Sequence, residues 1–382
     1  MPVVADLPEP AWALALGSLQ RMGSARLRAV LAGRAPSEAY RAIQAGEVIV
    51  GHPFASGEAK ATVLFDRWRC DLAGIDVDAL WQRTLDAHIR VAVRGDEHYP
   101  DDLVDDVDPP PLLMWMGDHV ALGHRRVAIV GTRNPTITGT EIAFELGETL
   151  ATNGISVVSG LADGIDVAAH RGALKAGRDG APPIGVVGSG LDVIYPRRSA
   201  SVWREVAQRG LLYSEAPPGC SPEAWRFPLR NRIIAALAEI VVVVESRSQG
   251  GSMITVNEAI ARNVTVMAVP GSVRNEAAKG TNDLLFDGVS PVREPRDVLE
   301  ALGLVTRAER VAEKKQRTPS NPDDAKVLRL FGSDALTLDD IANVAGRSLG
   351  ELAVSLNRLE TEGFVDRRGG WYVPRSKPRA QR

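Results

Sequence analysis

The densest basic cluster in the sequence stands at the start of a predicted helix and has the residue types that bind phosphate. Its members are Arg226, Arg230, Asn231 and Arg232. Cations at a helix N-terminus are unfavourable unless an anion or a carboxylate compensates them, and arginine binds phosphate through its forked guanidinium. Three aromatic residues are candidates to lie nearby: Tyr195, Trp225 and Phe227. They could stack on nucleic-acid bases, although core packing explains each of them equally well.

A second feature is a series of glycine-containing polar loops, each directly after a short apolar segment. The first consists of Gly131, Thr132 and Arg133, after the apolar residues 127–130. Later loops of this kind contain Ser159 and Gly160, Gly188, Ser214, Gly250 with Gly251 and Ser252, and Gly271. Glycine lets a ligand approach the backbone closely, and a helix that starts after such a loop favours an anion. We therefore predict that these loops bind something long or multiply charged.

The sequence lacks the motifs of several enzyme classes. No G-x-G-x-x-G follows the first predicted strand, as a hydride-transfer enzyme would require, and no G-x-x-x-x-G-K-[ST] marks a P-loop ATPase. The cysteines, Cys70 and Cys220, fit no metal-ligand spacing. Glu245 could act as a base or could hold a neighbouring loop, and we favour the second role. We predict no catalytic residue, no metal site and no cofactor.

The composition is typical of a globular protein with more than one domain. The length of 382 residues allows two or three domains, and 45% hydrophobic with 24% charged residues differs from a disordered chain. The formal net charge of −3 excludes a uniformly basic protein, so a nucleic-acid partner must meet a local basic site. No apolar run approaches the roughly 20 residues of a membrane span, and the first residues do not form a signal peptide. We predict a cytoplasmic protein without a membrane partner.

Apolar periodicity between residues 124 and 302 alternates regularly between two kinds of element. Strands are predicted at 126–130, 156–159, 183–187, 211–214, 240–245 and 265–269. Helices are predicted at 139–152, 165–176, 199–209, 229–238, 251–262 and 280–287. This alternation implies right-handed βαβ units. The predicted fold is therefore α/β: an extended Rossmann-like, doubly wound, mostly parallel sheet, with a helical N-terminal domain and a C-terminal winged helix. The glycine loops then share the carboxyl edge of the sheet, where ligands collect.

The predicted domain organisation has five parts. Residues 1–75 form a helical domain similar to a SAM or helix-hairpin-helix module, although Gly23 stands alone where the latter has two glycines, and we favour a packing role. Residues 76–304 form the extended Rossmann-like DNA-binding domain. Its connector, 76–123, has two short strands that we expect to pack on the rest. A linker (305–322), a winged helix (323–374) and a basic tail (375–382) follow.

The third helix of the predicted winged helix has the wrong residues for reading a DNA groove. Its apolar face carries Leu349, Leu352, Leu356 and Leu359, and the one basic residue among several glutamates is Arg358. A groove reader needs basic and amide side chains at these positions. We expect a protein-contact module or a weak DNA contact.

Seven motifs, in order, match a known family. They are Val130-Gly-Thr-Arg133, Ser159-Gly-Leu-Ala-Asp-Gly-Ile-Asp166, Gly190-Leu-Asp-Val-Ile-Tyr-Pro196, Ser214-Glu-Ala-Pro-Pro-Gly219, Phe227-Pro-Leu-Arg-Asn-Arg-Ile-Ile234, Gly251-Ser-Met-Ile-Thr255 and Ala268-Val-Pro-Gly271. This series resembles the DNA-processing protein A family, DprA, also called Smf. The resemblance implies a non-enzymatic protein of natural transformation. Such a protein binds and protects incoming single-stranded DNA, forms a homodimer through its Rossmann domain, and loads the RecA recombinase.

The resemblance also assigns site residues. The positions that match the family's phosphate-contacting loops and basic segment are Gly131, Arg133, Gly160, Arg230, Asn231, Arg232, Gly251, Ser252 and Thr255. With their neighbours Thr132, Ser159, Gly188, Phe227 and Gly250 they make up the predicted DNA- and phosphate-binding set. Asp163 departs from the family, which often has arginine at that position, and it adds a negative charge beside the predicted site.

Two alternative functions come from other classes. Related Rossmann-like proteins are phosphoribohydrolases that cleave nucleotides, but those carry a P-G-G-x-G-T run that Pro270, Gly271 and the residues after them do not reproduce. A transcription regulator acting through the winged helix is the other alternative, and the acidic third helix argues against it. Single-strand DNA binding and recombinase loading is the function that we favour.

Overall fold

The protein is described here by a computed structural model, which covers residues 7–54, 58–305, 319–331 and 335–374. The chain divides into two compact units, Met1–Ala301 and Leu302–Arg382. The predicted basic tail at 375–382 and most of the predicted linker lie outside the described residues. The domain boundaries given above stay a prediction.

The first unit is built from helices, three short 3-10 helices and the strands of one sheet. The strands are β1 (Arg90–Val93), β2 (Leu112–Gly117), β3 (Arg125–Val130), β4 (Ile155–Ser159), β5 (Ile184–Val187), β6 (Leu211–Ser214), β7 (Ile240–Val243), β8 (Thr265–Ala268) and β9 (Ser290–Pro291). The N-terminal helices are α1 (Glu9–Gly17), α2 (Ser24–Leu31), α3 (Pro36–Gln44), α4 (Glu58–Ala73) and α5 (Val77–Asp86). The later helices are α6 (Asp101–Val104), α7 (Ile137–Thr152), α8 (Ile165–Lys175), α9 (Ala200–Arg209), α10 (Arg226–Ala236), α11 (Gly251–Ala261), α12 (Lys279–Phe286) and α13 (Pro295–Ala301).

Among the described residues, nine strands form one sheet in the order β1-β2-β6-β5-β4-β3-β7-β8-β9. All neighbours from β6 to β9 pair in parallel. Every residue of β4, β5, β6 and β7 is buried, as expected for apolar strands covered by helices on both faces. The predicted mostly parallel, doubly wound α/β fold is confirmed.

The order of the strands creates a switch point in the middle of the sheet. From β3 the chain moves outward through β4 and β5 to β6, and it then returns to place β7 on the other side of β3. The connections after β3 and β7 therefore leave toward opposite sides of the sheet. A crevice opens between them at the carboxyl edge, which is where open α/β sheets bind ligands.

The two short strands of the segment 76–123 join this sheet rather than packing against it. Strand β2 pairs antiparallel with β6, and β1 pairs antiparallel with β2. The physical reason is visible in β2, whose successive side chains enter opposite cores: Met114 belongs to the core under the N-terminal helices, and Leu113 to the core under α10 and α11. Both are fully buried, so β2 extends a two-sided sheet and covers the edge that β6 would otherwise expose.

The N-terminal helices pack on one face of the sheet. Leu14, Leu16 and Trp68 are fully buried in a core that also contains Met114 of β2 and Leu212 of β6. Helix α2 begins at Ser24 after a turn that contains Gly23. The predicted pair of helices joined by a short turn is therefore present as α1 and α2, and it forms part of the first unit.

The second unit has the predicted winged-helix pattern. Its helices are α14 (Pro322–Leu330), α15 (Leu338–Ala345) and α16 (Leu349–Thr361), and its strands are β10 (Leu336–Thr337), β11 (Val365–Arg368) and β12 (Trp371–Pro374), in the order β10-β12-β11. Thr337 and Asp340 form the predicted capping box. Leu352, Leu356 and Leu359 of α16 are fully buried, whereas Leu349 is half exposed.

The basic residue of α16 is engaged within the second unit. Arg358 forms a two-pronged ion pair with the buried carboxylate of Asp324, with nitrogen–oxygen distances of 2.6 and 2.7 Å. This pairing lowers the pKa of Asp324. Helix α16 therefore offers no free arginine to a DNA groove, in agreement with the expectation drawn from its sequence.

Candidate nucleic-acid interface

Loops that follow β3, β4 and β7 meet the first turns of α10 and α11 at the switch point of the sheet. They surround a cavity of about 600 Å³, which we call the sheet-edge pocket. Its position is the one where open α/β sheets bind ligands. Ten of the predicted site residues line it: Gly131, Thr132, Arg133, Phe227, Arg230, Asn231, Gly250, Gly251, Ser252 and Thr255.

The turn after β3 is closed by contacts that leave no room for a side chain. A Cβ atom at Gly131 would lie 2.6 Å from Cγ1 of Ile165 and 2.9 Å from the carbonyl oxygen of Glu245. The amide of Thr132 donates a hydrogen bond of 2.7 Å to that same carbonyl. The loops after β3 and β7 are thus fixed to each other, and this holds the backbone of Arg133 at the pocket.

Arg133 is an exposed cation of the pocket. Its guanidinium carbon lies 5.0 Å from the centre of the Phe227 ring, within the range of a cation–π contact. The Phe227 ring is stacked with that of Tyr195, at 5.7 Å between centroids. In the part of the chain that the structure describes, Arg133 forms no ion pair. An exposed guanidinium placed beside stacked rings suits both halves of a nucleotide, the phosphate and the base.

Arg230 is the buried cation of the pocket, with 7% of its surface exposed. Its Nη1 donates to the carbonyl oxygens of Gly160, at 2.7 Å, and Val186. A Cβ atom at Gly160 would lie 2.5 Å from Nη2, so glycine is needed there for the guanidinium to fit. Burial lowers the pKa of Arg230 to about 10, and the side chain therefore stays charged at neutral pH.

Asp166 is the one carboxylate among the described residues that line the pocket. Its Oδ2 accepts hydrogen bonds from the amides of Gly160, at 3.1 Å, and Ala162, at 3.4 Å. Burial raises the pKa of Asp166 to about 6, against the opposing effects of the Arg230 charge and these two hydrogen bonds. Asp166 therefore orders the loop after β4, and near neutral pH it offsets part of the positive charge of the pocket.

The first turn of α11 presents free backbone amides to the pocket. Gly250 precedes the helix without a capping side chain, and no acidic residue stands in the first turn. The amides of Gly251 and Ser252 have no intrahelical acceptor, and the positive end of the helix dipole lies at the same place. Asn231 donates from Nδ2 to the carbonyl of Gly251 at 3.3 Å, which ties α10 to this turn. The arrangement can bind an anion.

Helix α7 starts beside the same pocket, but its N-terminus is occupied from within the protein. The carboxylate of Glu245 accepts hydrogen bonds from the amide of Thr136, at 2.9 Å, and from its hydroxyl, at 2.6 Å. A Cβ atom at Gly139 would lie 2.5 Å from the carboxyl carbon. The prediction that Glu245 holds a neighbouring loop is confirmed.

Four predicted residues lie elsewhere than in the sheet-edge pocket. Ser159 is buried, and its hydroxyl donates to Ile129 O at 2.6 Å. Gly160 and Gly188 line a small cleft that adjoins the pocket and shares Arg133, Phe227 and Arg230 with it. Arg232 is 2% exposed and lines a separate cavity.

Comparisons with known proteins agree with this fold and identify the family. The family model of DNA recombination-mediator protein A matches residues 90–303, and that of the DprA winged helix domain matches residues 311–370. Protein Smf of Escherichia coli is 34% identical over 306 residues, which cover 78% of this chain and 80% of that protein. The chain belongs to the DprA/Smf family. The resemblance drawn from the motifs is confirmed, and the family is one of DNA-processing recombination mediators.

Other members of the DprA/Smf family give the same result. DNA processing protein DprA of Bacillus subtilis is 39% identical over 208 residues, or 54% of this chain and 69% of that protein. The crystal structure of DprA from Streptococcus pneumoniae has a TM-score of 0.56 at 34% identity and covers 62% of this chain and 81% of that one. The structure of DprA from Helicobacter pylori, described for its single-stranded DNA binding mode, has a TM-score of 0.51 at 30% identity. It covers 56% of this chain and 97% of that one.

Asp163, which the sequence predicts to add a negative charge beside the site, has partners within the protein. Arg198 contacts the Asp163 carboxylate at 2.5 Å, and the Ser199 hydroxyl donates to it at 3.1 Å. Burial raises the pKa of Asp163, but the hydrogen bonds from Arg198 and Ser199 outweigh that effect and lower it. The negative charge beside the pocket is therefore paired within the protein.

Sequence reasoning missed one cation of the pocket. Arg247 is exposed and lines the sheet-edge pocket, and none of its side-chain contacts in the described residues is an ion pair. Its position two residues after Glu245, in the loop that follows β7, was a signal that could have identified it. The motif that this loop shares with the DprA/Smf family begins at Gly251, four residues after Arg247, so the prediction included Gly251 and Ser252 but not Arg247.

Carboxylates compensate two of the arginines of α10. Arg226 pairs with Glu223 at 3.1 Å, and Arg232 pairs with Glu215 at 2.6 Å. Arg230 has no such partner within hydrogen-bonding distance among the described residues. Of the three arginines of this helix, Arg230 is the one that lines the sheet-edge pocket.

Two features are absent from the described residues. No helix among them is long and apolar enough to cross a membrane. No group of three or more His, Cys, Asp and Glu side chains among them could hold a metal ion.

Proposed function

We propose that the sheet-edge pocket binds the phosphates and bases of single-stranded DNA. One observation carries the proposal: the exposed Arg133, the buried Arg230 and the uncapped first turn of α11 all meet in one pocket. Each of the three favours an anion for its own physical reason: a free guanidinium, a buried cation without a carboxylate partner, and unpaired amides.

The aromatic pair supports a single strand rather than a duplex. Bases in a duplex are already stacked on each other, whereas an unpaired base can stack on a protein ring. Tyr195 and Phe227 stand at the pocket, with Tyr195 39% exposed. The predicted residues Ser159, Gly160 and Gly188 have a supporting part in this proposal, because they shape the backbone around Arg230 and Phe227. Arg232 remains proposed as a phosphate contact in the cavity that it lines.

We further propose that the chain acts by binding rather than by catalysis, and that it protects incoming strands and loads RecA on them during natural transformation. The membership in a family of recombination mediators supports this role. In a direct test, small amounts of the protein should shorten the lag of RecA ATP hydrolysis on strands coated with single-strand-binding protein. An unchanged lag would remove RecA loading from the proposal and leave DNA binding intact.

A homodimer through the Rossmann-like sheet completes the proposal. Val273, after β8, and Phe286, at the end of α12, are each 92% exposed. The side chain of Asn282 hydrogen-bonds both backbone groups of Gly271 and thereby ties this loop to α12. Exposed apolar side chains on neighbouring, connected segments are typical of protein interfaces.

The DNA-binding proposal is tested by fluorescence anisotropy of labelled oligo-dT and of the corresponding duplex at several salt concentrations. We expect preference for the single strand, with a log–log salt slope of about −0.7 for each neutralised phosphate. Arg133→Ala should make that slope shallower by about 0.7, which is the contribution of one neutralised phosphate. Arg204→Ala, which removes an exposed arginine of α9 that lies outside the pocket lining, is the matched control.

Two results would contradict the proposal. One is equal affinity for single and double strands, and the other is a salt slope that Arg133→Ala leaves at the wild-type value. In either case the next assay is cleavage of nucleoside monophosphates, which the phosphoribohydrolase alternative predicts.

A further inference from the structure

A second cavity, of about 560 Å³, lies between the N-terminal helices and the start of α10. We call it the α2–α10 cavity. The first turn of α2 lines one side, and Trp225, Leu229 and Arg232 line the other. Its volume lies within the roughly 300–1,000 Å³ that is usual for small-ligand sites. Of the 14 residues in the predicted DNA- and phosphate-binding set, Arg232 is the one that lines this cavity.

The lining of this cavity has an excess of positive charge. Five arginines line it, against the two carboxylates of Asp108 and Glu223. Arg28 pairs with Asp108 and Arg226 with Glu223. Arg21 and Arg26 pair with no carboxylate in the described part of the chain, since Arg26 donates only to the carbonyls of Pro53 and Arg21. The cavity therefore suits an anion.

Two sets of hydrogen-bond donors at the cavity lack acceptors. The first hydrogen bond of α2 runs from Leu27 N to Gly23 O, so the amides of residues 24–26 have no intrahelical acceptor. Arg232 is buried and binds Glu215 and Ser24 through Nη2, while no described group accepts from its Nη1. Its Nε lies 3.0 Å from Asp108 without hydrogen-bond geometry. A buried donor without an acceptor is costly, and an anion in the cavity would supply one.

The cavity also has an exposed aromatic wall. Trp225 is 42% exposed, and the guanidinium carbon of Arg226 lies 4.4 Å from the centre of its ring. A Cβ atom at Gly23 would lie 4.0 Å from this ring, so the indole stands beside the first turn of α2. An indole next to phosphate-binding donors is suited to a base that stacks while its phosphate is bound.

The α2–α10 cavity and the sheet-edge pocket are connected along α10. A narrow cleft between them is lined by Gly23, Gly188, Trp225, Arg226 and Arg230. It shares Trp225 and Arg226 with the cavity and Arg230 with the pocket. A strand that leaves the pocket along the start of α10 would therefore reach the indole of Trp225 next.

We propose that the α2–α10 cavity is a second nucleotide subsite, which takes a phosphate and a base of the same single strand that fills the sheet-edge pocket. The proposal rests on the proposed single-strand binding and adds the N-terminal helices to the DNA-binding surface. Its chemistry is that of a nucleotide unit: an acceptor for Arg21, Arg232 and the α2 amides, and a ring for Trp225.

The test measures the affinity of the full chain for oligo-dT of about 4 to about 16 nucleotides, the usual range of single-strand site sizes. The affinity of the wild type should rise by a further step once the strand is long enough to reach Trp225. Trp225→Ala should weaken binding of the long oligomers at least about fivefold and leave the shortest unchanged. Trp225→Phe should keep most of the step, because a phenyl ring still stacks.

An independent variant examines the phosphate contact. Arg21→Ala should reduce the salt slope by about 0.7 for the long oligomers alone. Arg67→Ala is the matched control, because Arg67 is an exposed arginine on α4 that lies outside the cavity lining. Melting temperatures of all variants show whether the fold is retained, and the exposure of Arg21 and Trp225 predicts that it is.

The outcomes separate this inference from the proposed function. If the shortest oligomers bind and depend on Arg133, but the long ones bind equally well to Trp225→Ala and Arg21→Ala, the second subsite is refuted while the first stands. If thymidine monophosphate binds at Trp225 but longer strands gain no affinity, the cavity is a site for free nucleotides and the continuous strand path is wrong. If no single strand binds at all, both proposals fail together.

Discussion

Two cations of the pocket differ in how their side chains are held. Arg133 is exposed, whereas Arg230 is buried and donates hydrogen bonds to the carbonyls of Gly160 and Val186. Arg247 adds a further exposed cation, and Asp166 is the single negative group that the described part of the chain contributes to the lining. The net charge of the pocket therefore depends on the protonation of one residue.

Asp166 should make the stability of the protein depend on pH between about 4 and 6. Its folded pKa of about 6 is higher than that of an unfolded Asp, so the folded state binds the proton more tightly. The resulting stabilisation is present at low pH and is lost as the pH rises through 6. Two pKa units correspond to about 3 kcal/mol. Between pH 7 and pH 4, the wild type should gain about 2 kcal/mol of unfolding free energy relative to Asp166→Asn, because an unfolded Asp is still partly ionised at pH 4.

The comparison of wild type and variant isolates this group from others that titrate in the same range. His170 is one of these, because burial lowers its pKa to about 4, and it destabilises the fold as the pH falls toward that value. Urea denaturation at each pH gives both free energies. A difference between the two proteins that stays constant from pH 7 to pH 4 would show that Asp166 keeps an ordinary pKa.

Among the elements, the helices that start at the pocket differ in how their N-termini are satisfied. Glu245 fills the start of α7, whereas α11 has neither a capping side chain nor an acidic residue in its first turn. A carboxylate at a helix N-terminus occupies the place that an anion would take. The difference explains why a DNA phosphate is expected at α11 and not at α7.

Glu245→Gln should destabilise the first unit by about 1–3 kcal/mol, because the amide group has one acceptor oxygen where two carboxylate oxygens now bind Thr136. The loss of charge at the start of α7 acts in the same direction. Chemical denaturation monitored by circular dichroism gives the change. Glu145→Gln, on the exposed side of the same helix, is the control and should be neutral. Equal effects of the two substitutions would mean that the buried carboxylate does not anchor the helix.

For the whole molecule, self-association is the property that the surface chemistry predicts. Phe286→Asp places a charge where the proposed interface buries an aromatic ring, and desolvating that charge is unfavourable. Sedimentation should show a dimer for the wild type and a monomer for Phe286→Asp. Val63→Asp is the control, because Val63 is also exposed, at 71%, but lies on α4. A wild type that is monomeric at high concentration, or a Phe286→Asp variant that stays dimeric, would contradict the proposed interface.

Much of the fold was predictable because local patterns determine it. The predicted strands from 126–130 to 265–269 correspond to β3 to β8, since short apolar runs between amphipathic helices can satisfy their backbone only in a parallel sheet. The same alternation predicted that the glycine loops lie together at the carboxyl edge of the sheet, because parallel strands all end at that edge. The winged helix followed from three helices and two short strands, and its Thr337–Asp340 capping box was visible in the sequence.

The pairing of β1 and β2 with β6, and the direction of each arginine, depended on the tertiary structure. Arg230 and Arg232 are two residues apart, which on a helix of 3.6 residues per turn separates them by about 200°. They therefore enter different cavities, but because α10 is packed on both sides its sequence does not indicate which side faces the sheet edge. The partners that hold them, Gly160 for Arg230 and Glu215 for Arg232, come from distant strand ends. The sequence alone predicted a phosphate-binding edge of the sheet, and packing between distant segments decided which of the predicted residues lie in the pocket at that edge.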